Sequence, residues 1–486
     1  MEEKQRKNSK FSPPKCAAER VVGLDLSFQG LKSLSSPFLL HTTIKELLLN
    51  NNEIEHIPRE IYKLRNLEKL NLSHNKIRSI PPELGKAVSL KELYLNDNSI
   101  SSVPMELGTL FNLEILNITN NPLIAPFNSL CKDKTLIHFC RENNTSYPPP
   151  ADRAWIDMVF RKDNQCLDSI AVGTFNILSN FYAVKCTYAP SWVINPELRR
   201  ENILNSILSY NVDILALQEI ETCLYHEYYK IQLDQKLEYD STFLPRSRSL
   251  TLADKRMVDG CATFWKRNKF KLIEQINVDF FQKIITDSRF ATNQDVINRN
   301  MRKDNITLIT VLESQDGFQT IVVNTHIHWD PEYSDVKLLQ AILLIEDVEK
   351  IRQKYKHASM LFMGDFNSLR DSPVYKLVAE QEIDGSGFGL YDYTPFNAGF
   401  SHSMKLLDSY GGQDITFTNF TPTFKEVIDY IFYSEELVLT GVLSPIEEEY
   451  TAQCVGLPNI HFPSDHVLIG AKYCLKNKLK KIEPPK

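Results

Sequence analysis

Eight polar residues fall where apolar runs give out. Asn176 follows SIAVGTF, Glu219 follows VDILALQ, and His326 comes just after a run ending at Asn324. Asp365 and Asn367 follow ASMLFMG, Asp429 sits inside VIDYIF, and Asp465 and His466 precede VLI. Carboxylate and carboxamide oxygens of this kind suit a hard divalent cation, and imidazoles can hold or move a proton. A single acid in such a place is most often a turn residue or a helix cap. Eight in successive matching contexts point to one assembled, metal-capable site, because rigid strand ends bring residues distant in sequence to one point.

The elements that must position them alternate between β and α signals from Asp168 onward. Strands are expected over 169–175, 212–217, 262–265, 307–312, 319–324, 358–363, 427–432 and about 467–469. Helices are expected over 196–210, with Leu198, Ile203, Leu204, Ile207 and Leu208 on one side, and over 334–355. Between them, Arg246, Arg248, Lys255 and Arg256 form a basic cluster in PRSRSLTLADKR, read equally as a phosphate-backbone contact or as a solvated loop.

A repeat array precedes this region. Ile44, Leu67, Leu90 and Leu113 are 23 residues apart and open IKELLLNNNEI, LEKLNLSHNKI, LKELYLNDNSI and LEILNITNNPL, with a weaker copy at Val21. Each matches the leucine-rich-repeat pattern. Leu70, Leu72, Leu93 and Leu95 are expected to stack into a continuous core, with Asn52, Asn75, Asn98 and Asn121 bonding the backbone at each turn. Pro58, Pro81 and Pro104 start the convex side of each coil, and residues 136–139 are expected to cap the array. Leu48, Tyr94 and Ile115 are apolar residues on the concave face, which suggests a protein-docking surface.

At 486 residues two domains are expected. The divisions are a repeat domain over 1–142 (repeats from about 21), a linker over 143–165 containing Pro148 to Pro150, and a catalytic domain over 166–486. A net charge of −6 argues against binding nucleic acid by long-range attraction, yet suits an enzyme that takes a short strand into a pocket around a metal. No apolar run reaches the eighteen or so residues of a membrane span, and the charged N-terminus lacks a secretory h-region. Nine cysteines without any C-x-x-C pair are expected to be reduced thiols, in cytosol or nucleus.

The segments TFNIL, LALQE, NTHIHWDP, MGDFNS, VIDYIFY and PSDH resemble, in order and over about 166–474, the exonuclease–endonuclease–phosphatase superfamily with its DNase I-like fold. HWDPEYSDVKLLQ, VDGCATFW and FKEVIDYIFYS, together with the preceding repeats, resemble the carbon-catabolite-repressor type of poly(A) deadenylase, the nuclease subunit of the NOT deadenylation complex. That resemblance implies a leucine-rich-repeat solenoid followed by a four-layer α/β sandwich of two packed mixed sheets. It also implies a Mg²⁺-dependent 3′→5′ exoribonuclease that shortens mRNA poly(A) tails and releases 5′-AMP, in cytoplasm and nucleus. Glu219 is then the principal metal ligand, helped by Asn176, Asp365, Asn367 and Asp465. Asp365, with Asn367 beside it, orients and deprotonates the attacking water. His326 and His466 bond phosphate oxygens, and Asp429 fixes the His466 ring. Asn367, Pro331 and Phe424 take the adenine. The implied partners are poly(A) RNA, with no membrane, and a second deadenylase subunit at the repeats. The alternatives are an abasic-site DNA endonuclease or inositol-polyphosphate phosphatase of the same fold, and a scaffold with an inert nuclease domain.

Overall fold

The computed structural model describes residues 23–34, 39, 43–130, 135–145, 147–158, 164–166, 169–476 and 479–481. The N-terminal tail and the first residues of the weak repeat at Val21 lie outside the described residues. The chain divides into two compact units, Met1–Asn144 and Thr145–Lys486.

In the first unit five short parallel strands pair in chain order: Gly23–Asp25, Glu46–Leu48, Lys69–Asn71, Glu92–Tyr94 and Ile115–Asn117. Gly23 faces Glu46, Glu46 faces Lys69, Lys69 faces Glu92 and Glu92 faces Ile115, so the sequence period has become the register of the sheet. The middle leucines Leu47, Leu70 and Leu93 are fully buried and stack with Leu49, Leu72 and Leu95 in one core. Helix Thr135–Glu142 closes it with Leu136, Ile137 and Cys140. Asn98 shows why each coil carries an asparagine. Its Nδ2 donates to the carbonyls of Leu72 and Leu95 at 3.0 and 3.1 Å, and its Oδ1 accepts from Ile77 N–H at 2.9 Å. Asn52, Asn75 and Asn121 repeat the pattern. Asn98→Ala strands all three buried partners, at about 1–3 kcal/mol each for a group left fully unsatisfied. We expect it to lower stability to urea by about 3 kcal/mol, whereas Asn112→Ala, which removes a solvent-exposed bond to Val88 O, changes it by less than about 0.5 kcal/mol.

The second unit holds a seven-stranded and a six-stranded sheet. The elements that matter for the site are β1 (Ser169–Asn176), α1 (Pro196–Tyr210), β2 (Ile214–Glu221), β3 (Asp259–Lys266), β4 (Gln319–His326), α2 (Ser334–Lys354), β5 (Ser359–Asp365), β6 (Asp429–Ser434) and β7 (Ile469–Leu475). In the first sheet β3, β2, β1 and β7 are neighbours; in the second, β4, β5 and β6. Alternation along β2 sets the layers. Ile214 and Ala216 share a core with Val322 of β4 and Met363 of β5 between the sheets, while Leu215 and Leu217 pack against Ile203, Leu204 and Ile207 of α1. Helix α2 is buried without interruption from Asp335 to Ile345 and contributes its leucines and isoleucines to the same hydrophobic cluster.

Three features depart from expectation. The stretch expected as linker carries a strand, Trp155–Asp157, which pairs with Leu437–Leu443 at a sheet edge; three residues are too few to show a period of two. The strand expected at about 467–469 begins at Ile469 and runs on to Leu475, and a short further strand, Leu479–Lys481, follows it. Cys140, Cys186, Cys223 and Cys261 are free thiols, but Cys474 is disulfide-bonded, against the expectation of reduced thiols. Spacing in sequence does not reveal which cysteines a fold brings within bonding distance. Among the described residues no helix is long and apolar enough to cross a membrane.

Candidate active site

Strand pairing alone gathers three of the eight residues. His326 ends β4, Asp365 ends β5 and Asp429 begins β6, and they face one another in register, His326 against Asp365 and Asp365 against Asp429. Gly364 makes this row possible. Its φ is +140°, and a Cβ there would lie 2.1 Å from the Thr325 carbonyl oxygen.

The facing sheet supplies Asn176 and Glu219. Asn176 ends β1 opposite Gln218. Along β3, Cys261 pairs with Gln218 and Gly260 with Ile220, so Glu219 is the extra residue of a β-bulge, with a left-handed φ of +59°. A non-glycine residue held there costs roughly 1 kcal/mol or more. The bulge turns the Glu219 carboxylate toward the other sheet instead of following the alternation of β2.

Asp365 is the hub of the cluster. Its Oδ2 accepts from Asn176 Nδ2 at 3.0 Å and lies 3.5 Å from His326 Nε2 and 3.7 Å from His466 Nε2. Its Oδ1 accepts from the Asn367 N–H at 2.8 Å. Asn176 Nδ2 also reaches Glu219 Oε1 at 3.2 Å, while its Oδ1 accepts from Leu178 N–H. Glu219 Oε2 accepts from Ser179 N–H at 2.9 Å. His466 Nδ1 donates to Asp429 Oδ2 at 2.8 Å, and Asp465 Oδ2 accepts from Asn419 Nδ2 at 3.2 Å.

Glu219, His326, Asp365, Asn367, Asp465 and His466 line a single cleft of about 740 Å³, and Pro331 and Phe424 line it with them. Asn176 and Asp429 stand behind the wall and act on the residues that form it. Phe424 is no core aromatic: it sits on the hairpin of Asn419–Thr421 and Phe424–Glu426 with 38% of its surface exposed.

The electrostatics of this cluster are unbalanced. Burial, then the charge of Asp429, pushes the Asp365 carboxyl up to about 7. Burial, with Asp259 and Asp465 nearby, does the same to Glu219, also to about 7. Burial and the Arg246 guanidinium hold His326 well below the ordinary histidine value, so the ring is neutral. Burial opposes a charge on His466, yet Asp429, Asp465 and Asp365 surround it and raise it well above that value. Buried carboxyls thus outnumber buried cations, and Asp429 Oδ1 is buried with no hydrogen-bond partner. An additional positive charge fits this donor set. Asp365, Asp429 and His466 bring ligand atoms within 4.8 Å of one another. Since Asp429 and His466 are already bonded to each other, the carboxylates of this cluster left to face the cleft are those of Glu219, Asp365 and Asp465.

Two residues of the site lacked a usable sign in the sequence. Arg246, expected to touch RNA or solvent, is buried: it donates to Asp259 at 2.8 Å, to Asp304 at 3.4 Å, and through Nη2 to His326 Nδ1 at 2.9 Å. An accepting Nδ1 leaves the hydrogen on Nε2, aimed at Asp365. Arg248 pairs with Asp259 and Asp304 as well, while Arg256 pairs with Glu227 in solvent, so the basic cluster splits in two. Lys337, on buried α2, donates to the carbonyls of Trp329 at 3.1 Å and Asn367 at 2.8 Å and so ties two walls of the cleft together.

The sequence profile of the endonuclease/exonuclease/phosphatase family matches residues 173–466, and that of the leucine rich repeat matches 42–100 and 65–123. The chain is 54% identical over 475 residues to the probable CCR4-Not complex 3′-5′-exoribonuclease subunit Ccr4 of Vairimorpha ceranae, covering 97% of this chain and 98% of that relative. With the protein of the same description from Enterocytozoon bieneusi it shares 52% over 482 residues, 99% and 100% of the two chains. Among solved structures, ANGEL2, a 2′,3′-cyclic phosphatase, in complex with adenosine-2′,3′-vanadate aligns with a TM-score of 0.55 and 24% identity over 67% of this chain and 99% of its own, a likeness of fold alone.

Proposed function

The chain belongs to the endonuclease/exonuclease/phosphatase family, within it to the Ccr4-type 3′-5′-exoribonuclease subunits of the CCR4-Not complex, and on that premise we propose that it removes poly(A) from mRNA 3′ ends in a Mg²⁺-dependent hydrolysis releasing 5′-AMP. The observation that carries this is Asp365, whose one carboxylate oxygen lies within 3.7 Å of donors from Asn176, His326 and His466 at the floor of a cleft that Phe424 and Pro331 flank.

Glu219, Asp465 and Asp365 would hold the Mg²⁺, with Asn176 keeping the first and last in place, and the ion would supply the charge that makes a bound water acidic and a phosphate electrophilic. Asp365 Oδ2 orients the attacking water and takes its proton, with Oδ1 pinned by the Asn367 N–H. His326, fixed by Arg246 as the Nε2–H tautomer, and His466, kept charged by Asp429, donate to the non-bridging oxygens as charge develops. Asn367, Pro331 and Phe424 receive the terminal adenine, Phe424 by its open face. The repeats dock a second deadenylase subunit through the concave sheet, where Ile115 is exposed and Leu48 and Tyr94 are half-buried. Such work places the protein in cytoplasm and nucleus.

A ladder assay tests this. With Mg²⁺, an RNA ending in oligo(A) is expected to shorten one residue at a time, release 5′-AMP and stall at the first non-A residues; EDTA stops the reaction and added Mg²⁺ restores it. Cleavage of an abasic duplex or a phosphoinositide in preference to oligo(A) would assign the same cluster to another phosphoester. No hydrolysis of any of them would leave a scaffold.

A further inference from the structure

Trp329 lines the same cleft as Glu219, Asp365 and Phe424 and has no role in the chemistry above, yet 67% of its surface is open to solvent. A single exposed aromatic is ordinary on a protein surface. This one differs in how it is mounted. Its carbonyl accepts from Lys337 Nζ at 3.1 Å, and the same ammonium bonds the Asn367 carbonyl at 2.8 Å, so the main chain beneath the indole is tied to the residue that meets the terminal base. On one side it has buried His328, whose ring centre is 6.3 Å away at 53° and whose N–H donates to Gln340 Oε1 at 3.0 Å. Two residues on, Pro331 opens a short 3-10 turn whose Glu332 N–H is capped by Asp330. The stem is rigid and the rest of the ring faces the cleft.

A solvent-exposed indole on an anchored main chain, beside a single-strand site, matches the stacking platforms on which successive bases lie in proteins that bind such strands. The cleft, at about 740 Å³, is in the upper half of the roughly 300–1,000 Å³ usual for small-ligand sites, with room beyond one nucleotide. We propose that Trp329 stacks a second base, next to the one held by Pro331, Asn367 and Phe424, so that the cleft grips two successive nucleotides of a single strand. This rests on the exoribonuclease reading and extends it. Stacking needs only a π-face, so this second contact adds affinity without selecting adenine; selection stays with the terminal base.

The test uses the full chain and a set of six-residue oligo(A) RNAs, one intact and the others each with a single abasic ribose in place of one adenosine. Trp329→Ala is expected to raise KM for the intact strand roughly 10- to 100-fold, with kcat within about threefold of wild type, and Trp329→Phe to recover most of the loss. At one position adjacent to the terminal base, the abasic ribose should cost wild type the same factor and cost Trp329→Ala nothing further. An unchanged KM in Trp329→Ala, or a loss that adds in full to the abasic loss at every position, overturns the assignment. Failure of the wild type to trim the intact strand would instead remove the exoribonuclease reading, and this one with it.

Discussion

Asp365→Asn is expected to lower kcat on oligo(A) by about 10²-fold or more while leaving the folded protein as stable as wild type, or more so, above neutral pH. The loss of rate follows from the proposed role of Asp365: the side chain that would receive the proton of the attacking water is replaced by one that cannot. The stability follows from burial. Asparagine keeps the shape and one acceptor for Asn176 or Asn367, but removes a carboxyl that burial and Asp429 push up to about 7 from an ordinary value of 3.8. A carboxyl whose pKa is raised by folding supports the native state fully only below its unfolded pKa, and that support is lost as pH rises through the folded pKa. In metal-free protein the melting temperature of the variant should therefore gain on wild type between about pH 4 and 7 and hold its lead above. Adding Mg²⁺ should raise wild type more than the variant. A variant that melts well below wild type at pH 8 in EDTA, or one that still trims oligo(A) at the wild-type rate, would sink this account of Asp365.

Arg246→Met should damage both folding and activity. The guanidinium is buried between Asp259, Asp304 and His326. Removing one partner of a buried pair costs about 3–5 kcal/mol, and the lower figure applies here because Arg248 still reaches Asp259. The effect on catalysis is separate. Without the Nη2 donor, nothing holds His326 Nδ1 as an acceptor, and the Nε2–H aimed at Asp365 becomes one tautomer of two. We expect kcat to fall by about tenfold or more, as for loss of an oriented donor. Adding Asp259→Asn, which removes a buried charge then balanced by Arg248 alone, should recover part of the stability in urea and none of the rate. Recovery of both would mean that Arg246 acts on the fold alone.

These variants also mark where sequence reasoning ran out. The repeat array was legible because one pattern recurs at one spacing, β1 and β5 because apolar runs end in recognisable residues, and α1 because its apolar residues recur at helical spacing. The strand Phe270–Asp279 was not, since it is mostly exposed, with Lys271 and Glu274 breaking its apolar pattern. Within the site, Asp365, Asp429 and His466 could be picked out by type and context. The role of Arg246 could not, because it is set by acids from two other segments, Asp259 and Asp304. Nor could the aim of Glu219, because a left-handed φ at a glutamate arises from how β2 pairs with β3 and not from the residue itself.

The register of the repeat sheet carries a consequence for how this chain can change in length. Every strand residue faces the one 23 positions later, so the array has the translational symmetry of a one-dimensional crystal. A whole coil gained or lost leaves each remaining leucine and asparagine with equivalent neighbours. A single residue gained or lost within a coil is a dislocation: it must be absorbed on the convex side, or it turns buried leucines outward along the rest of the stack. The length of the repeat array is therefore quantised, and its concave sheet can be extended in coils without retuning the nuclease that follows.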